Sequence, residues 1–402
     1  MYKLYCRAFQ LAFRMVSPLL PWRRPIILAD GAALVDVLKT AGVSRVLLVT
    51  DKGLTALHLP DGLLAALSAA GVACTVYDGV SPNPTIDNIE AALALYKQNG
   101  CQGLIAFGGG SPMDCAKGVG ARVAHPNKPI QKMRGLLKVH KRLPLLIAVP
   151  TTAGTGSETT LAAVVVDGKT HEKYALNDHS LIPRYALLDA QLTVGLPPAV
   201  TAQTGLDALV HAVEAYIGRS NTKQTRAGAL EATSLIFQNL RRAYTNGADI
   251  EARRGMQRAA FLAGAAFTRA YVGNIHAVAH TLGGMYNVPH GLANAVIMPY
   301  VLDSYGATIE KSMAALSLAA GVGDAGAAQK DNAAAMLAAI KQLNTDLHIP
   351  TKISELKEAD IPLLASRAMK EANPLYPVPV IFDRAKMEHI FHQILATEGA
   401  AS

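Results

Sequence analysis

Residues 103–114 read GLIAFGGGSPMD, an apolar run of strand length that breaks into three glycines and then opens a helical pattern. A buried strand running into a helix across glycines is the basic unit of a parallel α/β sheet. Ser111 is positioned to cap the helix, Pro112 to be its first residue, and Asp114 to complete a capping-box-like turn three residues later. The glycines would let a phosphate approach the backbone, where a helix N-terminus offers N–H donors and partial positive charge. Met113 stands in the last glycine place of a GxGxxG fingerprint, and no GK[ST] follows, so neither the dinucleotide fingerprint nor a P-loop is present.

The same alternation extends outward on both sides. Strands are expected at 45–50 (RVLLVT), 72–77, 145–149 (LLIAV), 161–166 and 185–188, with helices over the Leu-rich stretch from Leu54 to Gly71 and over 86–97. The turn after 145–149, PTTAGTGSE at 150–158, supplies hydroxyls and exposed amides that suit a phosphate, ribose or amide group. Two such loops after parallel strands favour a nucleotide site. Asp51 closes the first of these strands, where a carboxylate either binds a ribose 2′-hydroxyl, selecting NAD over NADP, or simply caps a turn.

From about residue 197 the texture becomes helical, with expected helices over 201–217, 225–246, 250–267, 275–285 and 290–305, and more to about 347. Within this half, GLDALVHAVEAY places Asp207 and His211 four apart. NIHAVAHTLGGMYNVPHGLAN, residues 274–294, holds His276, His280 and His290. Residues four apart on a helix share a face. A single histidine on an apolar helix is ordinarily a hydrogen-bonded core residue, but one carboxylate and several imidazoles among small residues is what a divalent transition metal requires. Spacing alone leaves open which four bind. Ligation by oxygen and imidazole suits Fe(II), Zn(II), Co or Mn, and the absence of HExxH speaks against a metalloprotease.

Composition bounds the rest. A chain of 402 residues exceeds the roughly 250–300 at which one core stops growing, so two domains are expected. Apolar residues make up 50% and charged residues 17%, enough for a large core. The net charge of +8 comes without a long basic run interleaved with aromatics, which argues against nucleic acid. Cys6, Cys74, Cys101 and Cys115 form no CxxC pair, pointing to a reducing, cytoplasmic setting without a thiolate zinc site. No apolar run reaches a membrane span of roughly 20 residues. Residues 1–27 form a basic arm without an acid, carrying Lys3, Arg7, Arg14, Arg23 and Arg24. Arg14 and Pro18 spoil a signal-peptide reading, leaving an arm that packs on the body or an amphipathic segment in peripheral contact with a membrane.

Beyond about Leu28, the blocks GGGSPMDCAK, PTTAGTGSE, GLDALVHAVEAY and HAVAHTLGGMYNVPHGLANA resemble the iron-containing (group III) alcohol dehydrogenases. PNP at residues 82–84 and Asn373–Pro374 agree with that resemblance. It implies a Rossmann-like α/β nucleotide-binding domain over 28–196, an all-α metal-binding domain over 197–402 (the dehydroquinate synthase-like fold), a cleft between them, and a homodimer. Carried onto matching positions, the metal ligands would be Asp207, His211, His276 and His290, for Fe2+ or another divalent ion such as Zn2+. His280 would be an unligated neighbour of the nicotinamide and the candidate proton relay. NAD would contact Asp51, Asn83, Gly109, Gly110, Ser111, Asp114, Thr151, Thr152, Thr155 and Lys173; from the residues alone Lys173 reads as a solvated lysine. The implied activity interconverts a primary alcohol or diol and its aldehyde, small molecules both. Glycerol dehydrogenase, maleylacetate reductase and, further off, the dehydroquinate synthase lyases are the rival readings.

Overall fold

The computed structural model describes residues 1–16, 20, 22–169 and 172–396. Parts of the basic arm, including Pro18, and the last six residues of the helical half therefore lie outside the described residues. Contacts divide the chain into two compact units, Pro21–Val194 and Met1–Leu20 with Gly195–Ser402.

The chain opens on helix α1 (Tyr2–Val16), which packs with the helical unit. Cys6 on α1 is fully buried against Val378 and Ile381. Arg7 donates to the carbonyls of Val378 and Pro379, both at 2.7 Å, and Gln10 donates to Tyr376 O at 2.7 Å. Of the two readings open for this arm, packing on the body describes its inner face.

The α/β unit is built on β1 (Ile26–Leu28), α2 (Gly31–Thr40), β2 (Arg45–Val49), α3 (Lys52–Ala56), α4 (Asp61–Ala69), β3 (Ala73–Tyr77), α5 (Ile86–Gln98), β4 (Gly103–Gly108), α6 (Gly110–Ala124), β5 (Gly135–Leu136), β6 (Leu145–Pro150), β7 (Ala162–Val166), β8 (Lys173–Asn177) and β9 (Tyr185–Leu187). Six of these strands form one parallel sheet in the order β1-β9-β6-β4-β2-β3. Period-two alternation distributes its side chains to two cores. Leu47, Leu104 and Ala148 join one; Leu48, Ile105 and Ile147 join the other. Both faces are thus covered, which is why these strands read as continuous apolar runs.

Two expectations change. The Leu-rich stretch after β2 is two helices, because the chain turns at His58 in a left-handed conformation (φ 56°) and Pro60 starts the second. The segment 162–166 leaves the main sheet and pairs antiparallel with β8, in a three-stranded sheet completed by β5.

The chain order places β3 on one side of β2 and β4 on the other, a topological switch at which an open α/β sheet forms its ligand crevice. The carboxyl ends of β2, β4 and β6 carry Asp51, the three glycines and the threonine loop on adjacent strands. Gly108 sits at φ +145°, and a Cβ there would lie 2.6 Å from Pro112 Cγ.

The helical unit continues with α7 (Pro198–Ile217), α8 (Lys223–Thr245), α9 (Ile250–Ala270), α10 (Asn274–Tyr286), α11 (His290–Tyr305), α12 (Glu310–Ala320), α13 (Gln329–Asp346), α14 (Ile361–Ala372) and α15 (Arg384–Ile394). Its α7 is buried along most of its length, and small residues permit this. A Cβ on Gly205 would lie 2.3 Å from Leu240 of α8.

Gly108→Ala should therefore lower the urea unfolding midpoint of the α/β unit, at a cost of about 1–3 kcal/mol for backbone strain and crowding. An unchanged midpoint would show that the turn tolerates a side chain.

Candidate metal centre

Three helices bring the proposed ligands together. Asp207, His211 and Glu214 stand at i, i+4 and i+7 on α7, so they form one stripe. His276 lies in the first turn of α10, and His290 begins α11. Asp207, His211, His276 and His290 each offer one ligand atom, and these atoms lie within 4.8 Å of one another. His290 Nε2 is 3.5 Å from Asp207 Oδ1, and His211 Nδ1 is 4.0 Å from Asp207 Oδ2. Asp207, His211 and His276 are buried, whereas the His290 side chain is 41% exposed, so the cluster opens on one side.

The close approach of α11 to α7 depends on Gly291. A Cβ there would lie 2.3 Å from the carbonyl oxygen of Gln203, on α7 one turn before Asp207. Glycine after His290 thus lets His290 reach the carboxylate. Phe267 stacks on His211 with ring centroids 4.1 Å apart, fixing that ring's plane.

Sequence reasoning missed Glu214. Its carboxylate accepts from the backbone N–H groups of Gly273 and Ile275, both at 2.8 Å, and so caps the N-terminus of α10. It also accepts from His276 Nδ1 at 2.6 Å. That bond commits the Nδ1 proton to Glu214 and leaves Nε2 as the lone-pair nitrogen facing the cluster, the arrangement of a carboxylate–histidine–metal triad. Gly273 has no side chain to obstruct it; a Cβ would lie 2.7 Å from Glu214 Oε1. Burial pushes the Glu214 carboxyl up to about 7 against the backbone bonds that lower it. Burial, with His211, His290 and His280 alongside, holds His276 well below the ordinary histidine value, so the ring is neutral and able to ligate. The one signal available was the i+7 spacing from Asp207.

Asn294, also missed, donates its amide to Asp207 Oδ1 at 2.7 Å and lies 3.2 Å and 3.1 Å from His276 Nε2 and His290 Nε2. One oxygen donor and three imidazoles, convergent and mostly buried, fit a four-ligand divalent site. His280 is set apart from this group. Its ring stacks on His290 at 5.2 Å, and its Nδ1 bonds Glu371, which also accepts from Tyr376 OH at 2.9 Å. Although burial would raise it, contact with His280 and Tyr376 holds the Glu371 carboxyl below its usual value.

In the α/β unit the expected cofactor residues meet in part. Thr151 N–H donates to Gly108 O at 3.1 Å, joining the two loops. A Cβ on Gly109 would come 3.4 Å from Thr152, and one on Gly110 would come 3.6 Å from Thr155, so the glycines keep open a cradle of backbone. Lys173 donates to Asn83 Oδ1 at 2.6 Å, and Asn83 N–H donates to Ser111 Oγ at 3.3 Å. Lys173 is thus engaged rather than simply solvated. Asp51 accepts from Leu54 N–H at 3.1 Å as the N-cap of α3.

The capping box expected at Ser111 and Asp114 is not formed. The N-cap is Gly109, two residues earlier, with no side-chain cap, so α6 already includes Ser111 and Pro112. Asp114 turns inward, accepting from Ser157 Oγ at 3.2 Å and Val164 N–H at 3.1 Å, and burial raises it to about 6. Fully buried Lys117, unassigned from sequence, donates to Thr160 Oγ1 and Ala162 O, both at 2.7 Å, tying α6 to the second loop.

The description "Iron-containing alcohol dehydrogenase" matches residues 26–190, and that of the C-terminal part of the same family matches 201–395. The chain belongs to the iron-containing alcohol dehydrogenase family. It is 40% identical to the 1,3-propanediol dehydrogenase of Klebsiella pneumoniae over 83% of this chain and 87% of that one. It is 34% identical to the NAD-dependent methanol dehydrogenase of Bacillus methanolicus, over 83% and 88%. A solved 1,3-propanediol oxidoreductase superposes with a TM-score of 0.88 at 36% identity, covering 93% of this chain and 98% of that one.

Glu214→Gln, which keeps one of the two acceptor oxygens, should weaken metal retention about 10–100-fold with a smaller loss of stability, read by chelator competition on the reconstituted enzyme and by its unfolding midpoint. Retention equal to the parent would make Glu214 a helix cap alone. Gly291→Ala, which forces α11 away from α7, should lower metal retention too, whereas parental retention would show that α11 accommodates the methyl group.

Proposed function

We propose that this chain is an NAD(H)-linked, metal-dependent oxidoreductase that interconverts a primary alcohol or diol and its aldehyde. The observation that carries this reading is the convergence of Asp207, His211, His276 and His290 within 4.8 Å, in a member of the iron-containing alcohol dehydrogenase family. These four residues would hold Fe2+ or a similar divalent ion. Gly109, Gly110, Ser111, Thr151, Thr152 and Thr155 would cradle the dinucleotide, with Asn83 and Lys173 at its edge and Asp114 buttressing the second loop through Ser157. When bound, the ion supplies Lewis acidity toward the substrate oxygen and the nicotinamide supplies or accepts the hydride.

The chain's own residues position that chemistry and carry the proton. Glu214 orients His276, and Phe267 orients His211. His280 is one helical turn from His276 and is partly exposed, so it is placed to take the hydroxyl proton of an alcohol. Its Nδ1 proton committed to Glu371 leaves Nε2 as the base, and the Glu371 carboxylate stabilises the imidazolium that results. Tyr376 holds Glu371 in place. The carboxylate of Asp51 at the end of β2 would bond a ribose 2′-hydroxyl and repel a 2′-phosphate.

The four free cysteines support a reducing, cytoplasmic location, and exposed Ile26 and Ile27 on the edge strand β1 support a homodimer. Among the described residues no helix is long and apolar enough to cross a membrane.

A panel of primary alcohols, diols and aldehydes, assayed anaerobically after metal reconstitution with NAD(H) and NADP(H), tests the reading. Diol-dependent NADH formation is expected; better turnover with NADP would contradict the role of Asp51. His280→Ala should lower kcat about 10²-fold or more with metal content near that of the parent. Loss of stoichiometric metal in that variant would instead make His280 a ligand.

A further inference from the structure

The stretch after α14 cannot satisfy its own backbone. Residues 374–380 read PLYPVPV, and their prolines have no N–H to donate. The segment forms neither helix nor strand, so its carbonyls need donors from elsewhere. Pro377 O accepts from Arg219 N–H at 2.7 Å, and Val380 O accepts from Asn274 Nδ2 at 3.2 Å. The carbonyls of 374, 376, 378 and 379 are met by two side chains of α1. Gln10 Nε2 donates to Tyr376 O at 2.7 Å and to Pro374 O at 3.3 Å, and Arg7 donates to Val378 O and Pro379 O, both at 2.7 Å. Arg7 also donates to Gln10 Oε1 at 2.8 Å, which turns the amide nitrogen toward the segment. Cys6 adds an apolar contact with Val378 and Ile381, and Tyr376 packs against that cluster.

The side chain in the middle of this segment reaches the candidate base. Tyr376 OH donates to Glu371 Oε1 at 2.9 Å, and the same oxygen is bonded to His280 Nδ1. We propose that Gln10 and Arg7 are positioning residues for the proton relay, acting through Tyr376 and Glu371 on His280, an assignment that rests on the reading of His280 as the base. Tyr376 is held at its carbonyl by Gln10 and at its hydroxyl by Glu371, so a shift of the segment moves the hydroxyl away from the carboxylate. Hydrogen bonds weaken steeply as their geometry departs from linear, and a misplacement of about 1 Å costs as much as 10²-fold in rate. The two positioning residues belong to α1 and the proposed metal ligands to α7, α10 and α11, so relay and metal can be perturbed separately.

A double-mutant cycle tests this. Gln10→Met keeps the length of the side chain and removes both donors. On the metal-reconstituted enzyme, with whichever primary alcohol or diol the panel shows to be turned over, it should lower kcat about tenfold, with KM for NAD and bound metal near those of the parent. Tyr376→Phe deletes the hydroxyl and should lower kcat by at least as much. In that background Gln10→Met should change kcat by less than about twofold, because its path to His280 is already cut. Arg7→Met should act in the same direction, and Arg7→Lys, which keeps a donor, should recover part of the loss. A lower unfolding midpoint with parental kcat in Gln10→Met would make α1 a stabilising helix only and overturn the proposal, as would full additivity with Tyr376→Phe. His280→Ala is measured alongside. Parental kcat in that variant would remove the relay and this role of α1 together, whereas an impaired His280→Ala beside an unimpaired Gln10→Met would overturn the role of α1 alone.

Discussion

The packing of α7, α10 and α11 answers to the electrostatic cost of gathering a carboxylate and three imidazoles in a mostly buried volume. Such a group is held only if each member is oriented by a partner and a cation balances the carboxylate. The Glu214 carboxylate carries much of that task. It commits one imidazole proton, satisfies two backbone N–H groups at the start of α10, and so couples the position of that helix to the tautomer of His276. Hydrogen bonding and secondary structure are one device here, since removing the carboxylate would orphan helix donors and release the ring together.

Small residues make the convergence spatially allowed. Gly205, Gly273 and Gly291 each lie where a methyl group would meet a neighbour at 2.3–2.7 Å. The α/β unit uses the same economy for a different end. Its glycines at the end of β4 keep side chains away from a row of backbone donors, and Lys117 and Asp114 lock the two loops together from beneath.

Much of this was legible in the chain. Strand periodicity located β2, β3, β4 and β6 within a residue or so, because buried parallel strands are continuous apolar runs. Helical spacing proposed Asp207, His211, His276, His280 and His290 as one cluster, and the structure brings all five within ring contact or ligand distance of a neighbour in that set. What stayed hidden depends on contacts between distant positions. Glu371 meets His280 across 91 residues, and Asn83 meets Lys173 across 90, which no local period encodes. The missed N-cap of α6 has a local cause. Ser111 has the better capping side chain, but the helix already begins at Gly110, so Ser111 and Pro112 lie inside its first turn. The inward face of α1 was unreadable for a third reason, since composition marks a helix as amphipathic without saying which face meets the protein.

The central claim is that one divalent ion, held by Asp207, His211, His276 and His290, is required for alcohol oxidation. Anaerobic titration of the metal-stripped enzyme with Fe2+, following bound metal and NAD reduction by whichever primary alcohol or diol the panel shows to be turned over, tests it most directly. The account predicts that both rise in parallel and saturate at one ion per chain, and that His276→Ala abolishes both. Full alcohol oxidation by the stripped enzyme, or stoichiometric metal retained by His276→Ala, would contradict it.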